Sequence, residues 1–393
     1  MELDEELKKL VFEGAAARWG AVSESVRERL ETELGICTKL ELAGYFLLVK
    51  KLVDVIRAGG GFVAAGRDSS CSWAISHALG LNDIDPIAYE IPGERFLYDG
   101  IRVNKWTPCI CIDVDQIGKK IGDEFLVMKV GAVREEQKDP LHPAIYDLGK
   151  WSVGLTCTDT ADRLSRLSKM CGVAIDDISM DDPKAMRLLL ETKLEGIDYF
   201  NNERMRYALR SCKKLDIRKL THLYSLAASS YSDSLEKYVR MERCATFPRC
   251  EHPLLDEILI ESRGIVVFDD QMMVAMERLA GFTIKEARTG LKVLSKRMVD
   301  QGATYRDKFV KGCCANLLFR TGAYKAYRDA ADYAGRLWDR WFENGYFAFM
   351  KAHCIAFARQ SVQLAFFKAN FPEEWSRLDD AGLNNNSPRD REK

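Results

Sequence analysis

Cys109-Ile110-Cys111-Ile112-Asp113-Val114-Asp115 spells a strand, because β-branched residues alternate with Cys and Asp over seven positions. Side chains two apart lie on one face, so Asp113 and Asp115 point the same way. A strand presents a carboxylate pair to divalent metal ions such as Mg2+ in this manner. Two solvated acids at an exposed strand end have the same spelling. Immediately upstream, Gly59-Gly60-Gly61-Phe62-Val63-Ala64-Ala65-Gly66-Arg67-Asp68-Ser69-Ser70 reads as a glycine turn, a short strand and a Ser-rich loop, with a helix from about Ser72 to Leu79. Strand, loop and helix in that order offer backbone N–H groups and a helix dipole to a phosphate, although many such loops are ordinary connections.

Outside this core of β signal the chain is helical. Residues 2–57 carry apolar residues at helical spacing, with Gly35 and Gly44 as candidate breaks, and predict two or three helices. The segment from Gln116 to Tyr146 is short, charged and Gly-containing, with room for a hairpin but not for a domain. From about Thr160 the helical pattern continues almost throughout, except for a β-branched run, Gly264-Ile265-Val266-Val267-Phe268, before a helix starting near Asp269. The fold class expected is α+β, predominantly helical. From Ser376 the sequence turns polar, and residues 376–393 are expected to form a disordered tail.

The 393 residues carry 58 Lys+Arg against 59 Asp+Glu, and 47% are hydrophobic, which excludes a disordered chain and a polybasic tail protein. The most apolar stretch, Gly44 to Val49, runs into Lys50 and Lys51, well short of the roughly 18 residues that a membrane span needs. Met1 to Leu10 alternates acids and Lys with Leu, unlike a signal peptide, so the location expected is cytoplasmic and the twelve cysteines are expected as thiols. Cys244, Cys250 and His252 come nearest to a zinc spacing but lack a second close pair. Charge is uneven: between Arg278 and Arg320 ten basic residues face three acidic ones. Phosphate is the commonest partner of such a patch, and a solvated helix face is the alternative.

Phe349-Met350-Lys351-Ala352-His353 through Ala369-Asn370-Phe371-Pro372-Glu373-Glu374-Trp375 resembles the fingers helices of the bacterial DNA polymerase III alpha subunit, the C-family replicative polymerase. Upstream the resemblance continues in order: Gly44-Tyr45-Phe46-Leu47, Gly66-Arg67 with Ser69, Ala78-Leu79-Gly80-Leu81-Asn82-Asp83-Ile84-Asp85-Pro86, Glu94-Arg95-Phe96-Leu97, Asp181-Asp182-Pro183-Lys184 and Gly264-Ile265-Val266-Val267-Phe268 with Gln271 and Met273. The resemblance implies a small mixed-sheet palm of the polymerase beta-like nucleotidyltransferase type, followed by a large helical fingers domain. On that basis residues 1–25 form an amino-terminal helical segment, 26–165 a truncated palm-like domain and 166–375 the fingers-like domain. No amino-terminal PHP domain and no sliding-clamp-binding region is recognised. Only residues 116 to 146 stand where the family has its long thumb insertion.

The resemblance also assigns a site and marks its losses. Aligned without a gap from Pro108, the family's two metal-binding aspartates fall on Cys109 and Cys111, and thiolates are poor magnesium ligands. A slip by two or by four residues returns one or both of Asp113 and Asp115 to the metal positions, with Asp147 as the third acid. With both returned, the three aspartates are catalytic and hold Mg2+. Nucleotide contacts implied are Arg67, Ser69, Lys292, Phe347, Lys351 and His353. Asp68, Ser70 and Ser72 stand where the family has glycine, Leu291-Lys292 replaces an arginine pair, and Phe347 replaces a tyrosine. Nucleic-acid contacts implied are Lys292, Lys296, Arg297, Arg306 and Lys308. Three functions follow as expectations: an impaired palm and fingers module binding DNA weakly and without sequence preference, or a protein partner; an active minimal polymerase; or a purely structural subunit.

Overall fold

The computed structural model describes residues 2–104, 107–135, 144–228, 232–243, 252–322, 329–343 and 348–380. The chain divides into two compact units, one of Met1–Asn202, Leu215–Ile217 and Ile355–Lys393, the other of Glu203–Lys214 and Arg218–Cys354. Residues 166–375, expected as one fingers-like span, are therefore shared between the units. The boundary crosses the helix Lys351–Asn370.

In the first unit three helices, α1 (Glu2–Trp19), α2 (Glu24–Lys39) and α3 (Ala43–Ala58), come before any strand. Helix α2 runs through Gly35, and the break falls at residues 40–42, where Glu41 takes a positive φ of 55°. A four-stranded mixed sheet follows in the order β1-β4-β3-β2, with β1 Cys109–Val114, β2 Val133–Glu135, β3 Ala144–Asp147 and β4 Ser152–Cys157. Strands β1 and β4 are parallel, pairing Cys109 with Ser152 and Asp113 with Thr156. Strands β2 and β3 form the expected antiparallel hairpin, and β3 is antiparallel to β4.

Alternation along β1 sends Ile110, Ile112 and Val114 into a core with Phe46, Trp73 and Leu155, and leaves Cys109, Cys111 and Asp113 on the opposite face. From below, the buried Tyr45 hydroxyl donates to the Ser152 carbonyl (2.9 Å) and accepts from Ile110 N–H (2.7 Å), which pins β1 to β4. The short strand expected between the glycine turn and the Ser-rich loop is reduced to one antiparallel bridge, Val63 to Val114, because the chain leaves β1 at once for the loop at Gly66. The helix expected from Ser72 is a 3-10 turn, Ser69–Ser72, and a five-residue helix α4, Ala74–Ala78.

The second unit is helical among its described residues, and its core gathers Met272, Met276, Leu294, Phe309, Trp338 and Trp341. The β-branched run at residues 264–268 contributes a single bridge, Phe268 to Phe349, before the helix Asp269–Ala280. At the carboxyl end the helix Pro372–Asp380 continues past Ser376, so the polar composition there is partly that of an exposed helix. Residues 381–393 lie outside the described residues. Among the described residues no helix is long and apolar enough to cross a membrane.

Candidate functional site

Asp115 ends β1 and starts helix α5 (Gln116–Glu124), and its carboxylate is used up in doing so. One oxygen accepts from Gly118 N–H (2.7 Å) and Phe62 N–H (3.0 Å), and the other from the Ser165 hydroxyl (2.7 Å) on helix α6 (Asp159–Cys171). An N-cap with both oxygens engaged and 2% exposure ties three segments together. It has little left for a metal.

Asp113 is 1% exposed and takes a different partner, the Arg67 guanidinium at 3.0 Å. Burial disfavours the Arg67 charge, but Asp113 and the neighbouring Asp68 more than offset that and raise its pKa above the ordinary arginine value. The arginine that the resemblance assigns to a phosphate and the acid assigned to a metal thus neutralise each other.

Asp147 completes neither group. It pairs with Ser152 on β4, so it stands across β4 from Cys109, two strand spacings or roughly 9.5 Å away. Asp113 is four residues further along β1, roughly 13 Å in the strand direction. Instead, one Asp147 oxygen accepts from Gly149 N–H (2.7 Å) in its own turn. Asp113, Asp115 and Asp147 therefore do not converge, and among the described residues no three His, Cys, Asp or Glu side chains are placed to hold a metal ion. The hard-oxygen set that magnesium needs is not assembled.

The short helix after the Ser-rich loop, expected from the sequence to face a phosphate, is capped from within. Glu33 on α2 accepts from Ala74 N–H (3.2 Å) and Ile75 N–H (3.0 Å), the donors that begin α4, while Arg29 pairs with it at 2.6 Å. A protein carboxylate holds the position at which an incoming phosphate would meet a helix N-terminus. Ser69 opens the 3-10 turn and is half-buried. Glu33 and Ser165 carry no motif. The signal for Glu33 is its place on the apolar stripe of α2, between Leu30 and Cys37, where an acid needs a partner.

In the second unit Lys351 is 6% exposed, and its ammonium pairs with Glu261 at 2.7 Å while its backbone N–H donates to Asp270. His353 stacks on Phe349 with ring centroids 5.5 Å apart. Phe347 lies outside the described residues. His252 uses both ring nitrogens, accepting from Leu254 N–H (3.1 Å) and donating to the Phe319 carbonyl (2.9 Å). The other candidate zinc ligands, Cys244 and Cys250, lie outside the described residues.

The basic patch separates into two kinds of cation. Arg306 makes a two-pronged pair with Asp339 (2.7 and 2.9 Å), Lys308 pairs with Glu286, and Arg278 with Glu257 (2.6 Å). By contrast, Lys285, Lys292 and Lys296 are exposed along or just past the helix Ile284–Ser295. Spaced i, i+7, i+11, they fall within about 40° of one another and span about 16 Å. Arg297 follows with a φ of 46° and donates to the Glu343 carbonyl (3.1 Å).

A small mixed sheet with a polar face on its parallel pair, together with a mostly helical second unit, has the parts of a palm and fingers polymerase module. Residues 5–122 match the family model of the bacterial DNA polymerase III alpha NTPase domain, and residues 154–317 that of the bacterial DNA polymerase III alpha subunit finger domain. The chain belongs to the bacterial DNA polymerase III alpha family. It is 28% identical to the DNA polymerase III subunit alpha of Rickettsia prowazekii over 225 residues, 57% of this chain and 18% of that one. With the same subunit of Treponema pallidum it shares 20% over 481 aligned positions, and with that of Thermus aquaticus 22% over 492. Each alignment takes in 94% of this chain, and 40% and 39% of those relatives. The chain thus spans about two-fifths or less of the curated relatives it matches. Both long alignments exceed 393 positions, so the relatives hold residues with no counterpart here, and residues 123–153, which include the β2–β3 hairpin, match neither family model.

Proposed function

We propose that this chain is a palm and fingers module that has lost nucleotidyl transfer and acts by binding DNA through the exposed lysines at Lys285, Lys292 and Lys296. One observation supports the loss of chemistry: both oxygens of Asp115 are engaged by protein donors, and Arg67 is turned onto one oxygen of Asp113. Phosphoryl transfer depends almost wholly on charge positioned toward the metal and the triphosphate. Charge turned inward does neither. The short hairpin region where the family has a thumb removes a wall of the duplex channel, which favours single strands and primer ends over duplex.

Binding by lysines alone is weak, insensitive to sequence and steeply salt-dependent, because it comes from counterion release and not from base readout. The test is primer extension with magnesium or manganese, run beside binding of the same primer-template at low salt. The result expected is binding without incorporation above background. Extension that disappears in Asp113→Ala overturns the loss of catalysis, and no binding at low salt leaves a protein partner as the surviving reading.

A further inference from the structure

We propose that Cys109 and Cys111 form a two-coordinate site for a soft monovalent metal ion of the Cu(I) class, on the face of β1 from which the hard-ligand set is missing. The two thiols stand two residues apart on the same side of one strand, both partly exposed, and close enough to act on each other. Cys109 is further held by the Ser152 side chain and the Gly154 backbone. Room for Cys111 comes from Gly154, since a Cβ at that position would lie 2.7 Å from the Cys111 sulfur. Both sulfurs are thus positioned by β4, and the Asp68 carboxylate adds a negative field at each.

Magnitudes choose between a metal bridge and a disulfide. Side chains two apart on a strand leave Cβ atoms about 6.6 Å apart, whereas a disulfide needs roughly 3.5 to 4.5 Å. A linear sulfur–metal–sulfur unit, with bonds of about 2.3 Å, needs sulfurs about 4.6 Å apart, which thiols leaning toward each other can meet. Thiolates select soft ions, and with no third His, Cys, Asp or Glu placed to join among the described residues, the coordination number is two. Binding replaces two S–H bonds by two metal–sulfur bonds and releases two protons, giving a bis-thiolate complex of charge -1.

The experiment is anaerobic titration of the reduced full chain with Cu(I), in competition with a colorimetric Cu(I) chelator. One equivalent should bind, and Cys109→Ser or Cys111→Ser should weaken that site by more than about a hundredfold, because even groups that only orient a metal ligand are worth roughly 10- to 100-fold. Cys244→Ser with Cys250→Ser should leave it intact. A second readout needs no variant: Cu(I) should protect Cys109 and Cys111 of the wild-type chain from alkylation, read by peptide mass mapping. Binding that survives both single substitutions, binding that follows Cys244 and Cys250, or protection elsewhere overturns the proposal.

Discussion

The polar face of β1 and the helix Ile284–Ser295 both carry charge that the family resemblance assigns to function, and they dispose of it in opposite ways. On β1 each charged group has found a protein partner: Asp115 in a three-donor cap, and Asp113 and Arg67 in a mutual pair. Along the helix, Lys285, Lys292 and Lys296 remain in solvent while Arg306 and Lys308, on the next helix, are paired with acids. A buried charge must be compensated whether or not it does chemistry, whereas an exposed lysine costs little to keep. On the function proposed above, the inward-turned charge belongs to a palm without its reaction and the open lysines to a binding surface.

The largest effect that separates the two regions is on DNA binding. Lys285→Gln, Lys292→Gln and Lys296→Gln together should remove most of the affinity and flatten the salt dependence by about one unit of slope per lost phosphate contact. Arg306→Gln with Lys308→Gln should leave binding nearly unchanged, because those charges are already spent on Asp339 and Glu286. Filter binding or fluorescence anisotropy over a salt series measures both. Equal losses in the two sets would break the distinction between paired and open cations.

On the palm side the effect expected is on stability. Asp115→Ala removes an N-cap worth about 1 kcal/mol and strands the buried Ser165 hydroxyl and Phe62 N–H, so unfolding should become easier by roughly 3 to 5 kcal/mol. The loss should be the same in chelator as in magnesium. A magnesium-dependent stability difference between wild type and variant would return Asp115 to the metal site.

Much of this contrast was written in the sequence and some was not. Strand β1, its alternation and the hairpin after it follow from β-branched spacing and turn residues, and the helical remainder from its period. The partners of the site groups do not. Ser165 lies fifty residues beyond Asp115, and Glu33 forty-one before Ala74, so no local pattern links them. The helix expected from Ser72 shrank because Trp73, in extended backbone, interrupts it and turns inward to stack on Phe46. The acids that cancel Arg278 and Arg306, Glu257 and Asp339, also lie outside the stretch whose charges were counted.

A smaller effect tests how closed the palm is. His77, on α4, is buried against Trp19 at 5.0 Å, and burial, aided by Arg18, pushes its imidazole down to about 4 from an ordinary 6.5. The folded state prefers the neutral ring, so its contribution is fully present above pH 6.5 and is lost as pH falls toward 4, at up to about 1.4 kcal/mol per pH unit. Urea unfolding between pH 7 and 4 should show roughly 2 to 3 kcal/mol of acid loss that His77→Asn abolishes. The same pH slope in both proteins would show that other groups carry it.

The smallest effect concerns Asp68, which stands where the family resemblance expects glycine. Asp68 has φ 57° and ψ -162°, a region that glycine enters freely and that costs other residues about 1 to 3 kcal/mol. In return the side chain gains a pair with Arg67 at 3.7 Å, about a third exposed and so worth well under 1 kcal/mol after screening by solvent. Asp68→Gly relieves the strain, gives up that pair, and adds about 0.5 to 1 kcal/mol of chain entropy to the unfolded state. Strain is the largest of the three terms, so a net stabilisation of about 1 kcal/mol is expected in thermal or urea unfolding. Asp68→Ala keeps the strained backbone and loses the pair, so it should be neutral or destabilising. If Ala stabilises as much as Gly, the gain comes from removing the Asp68 side chain and not from relief of the backbone.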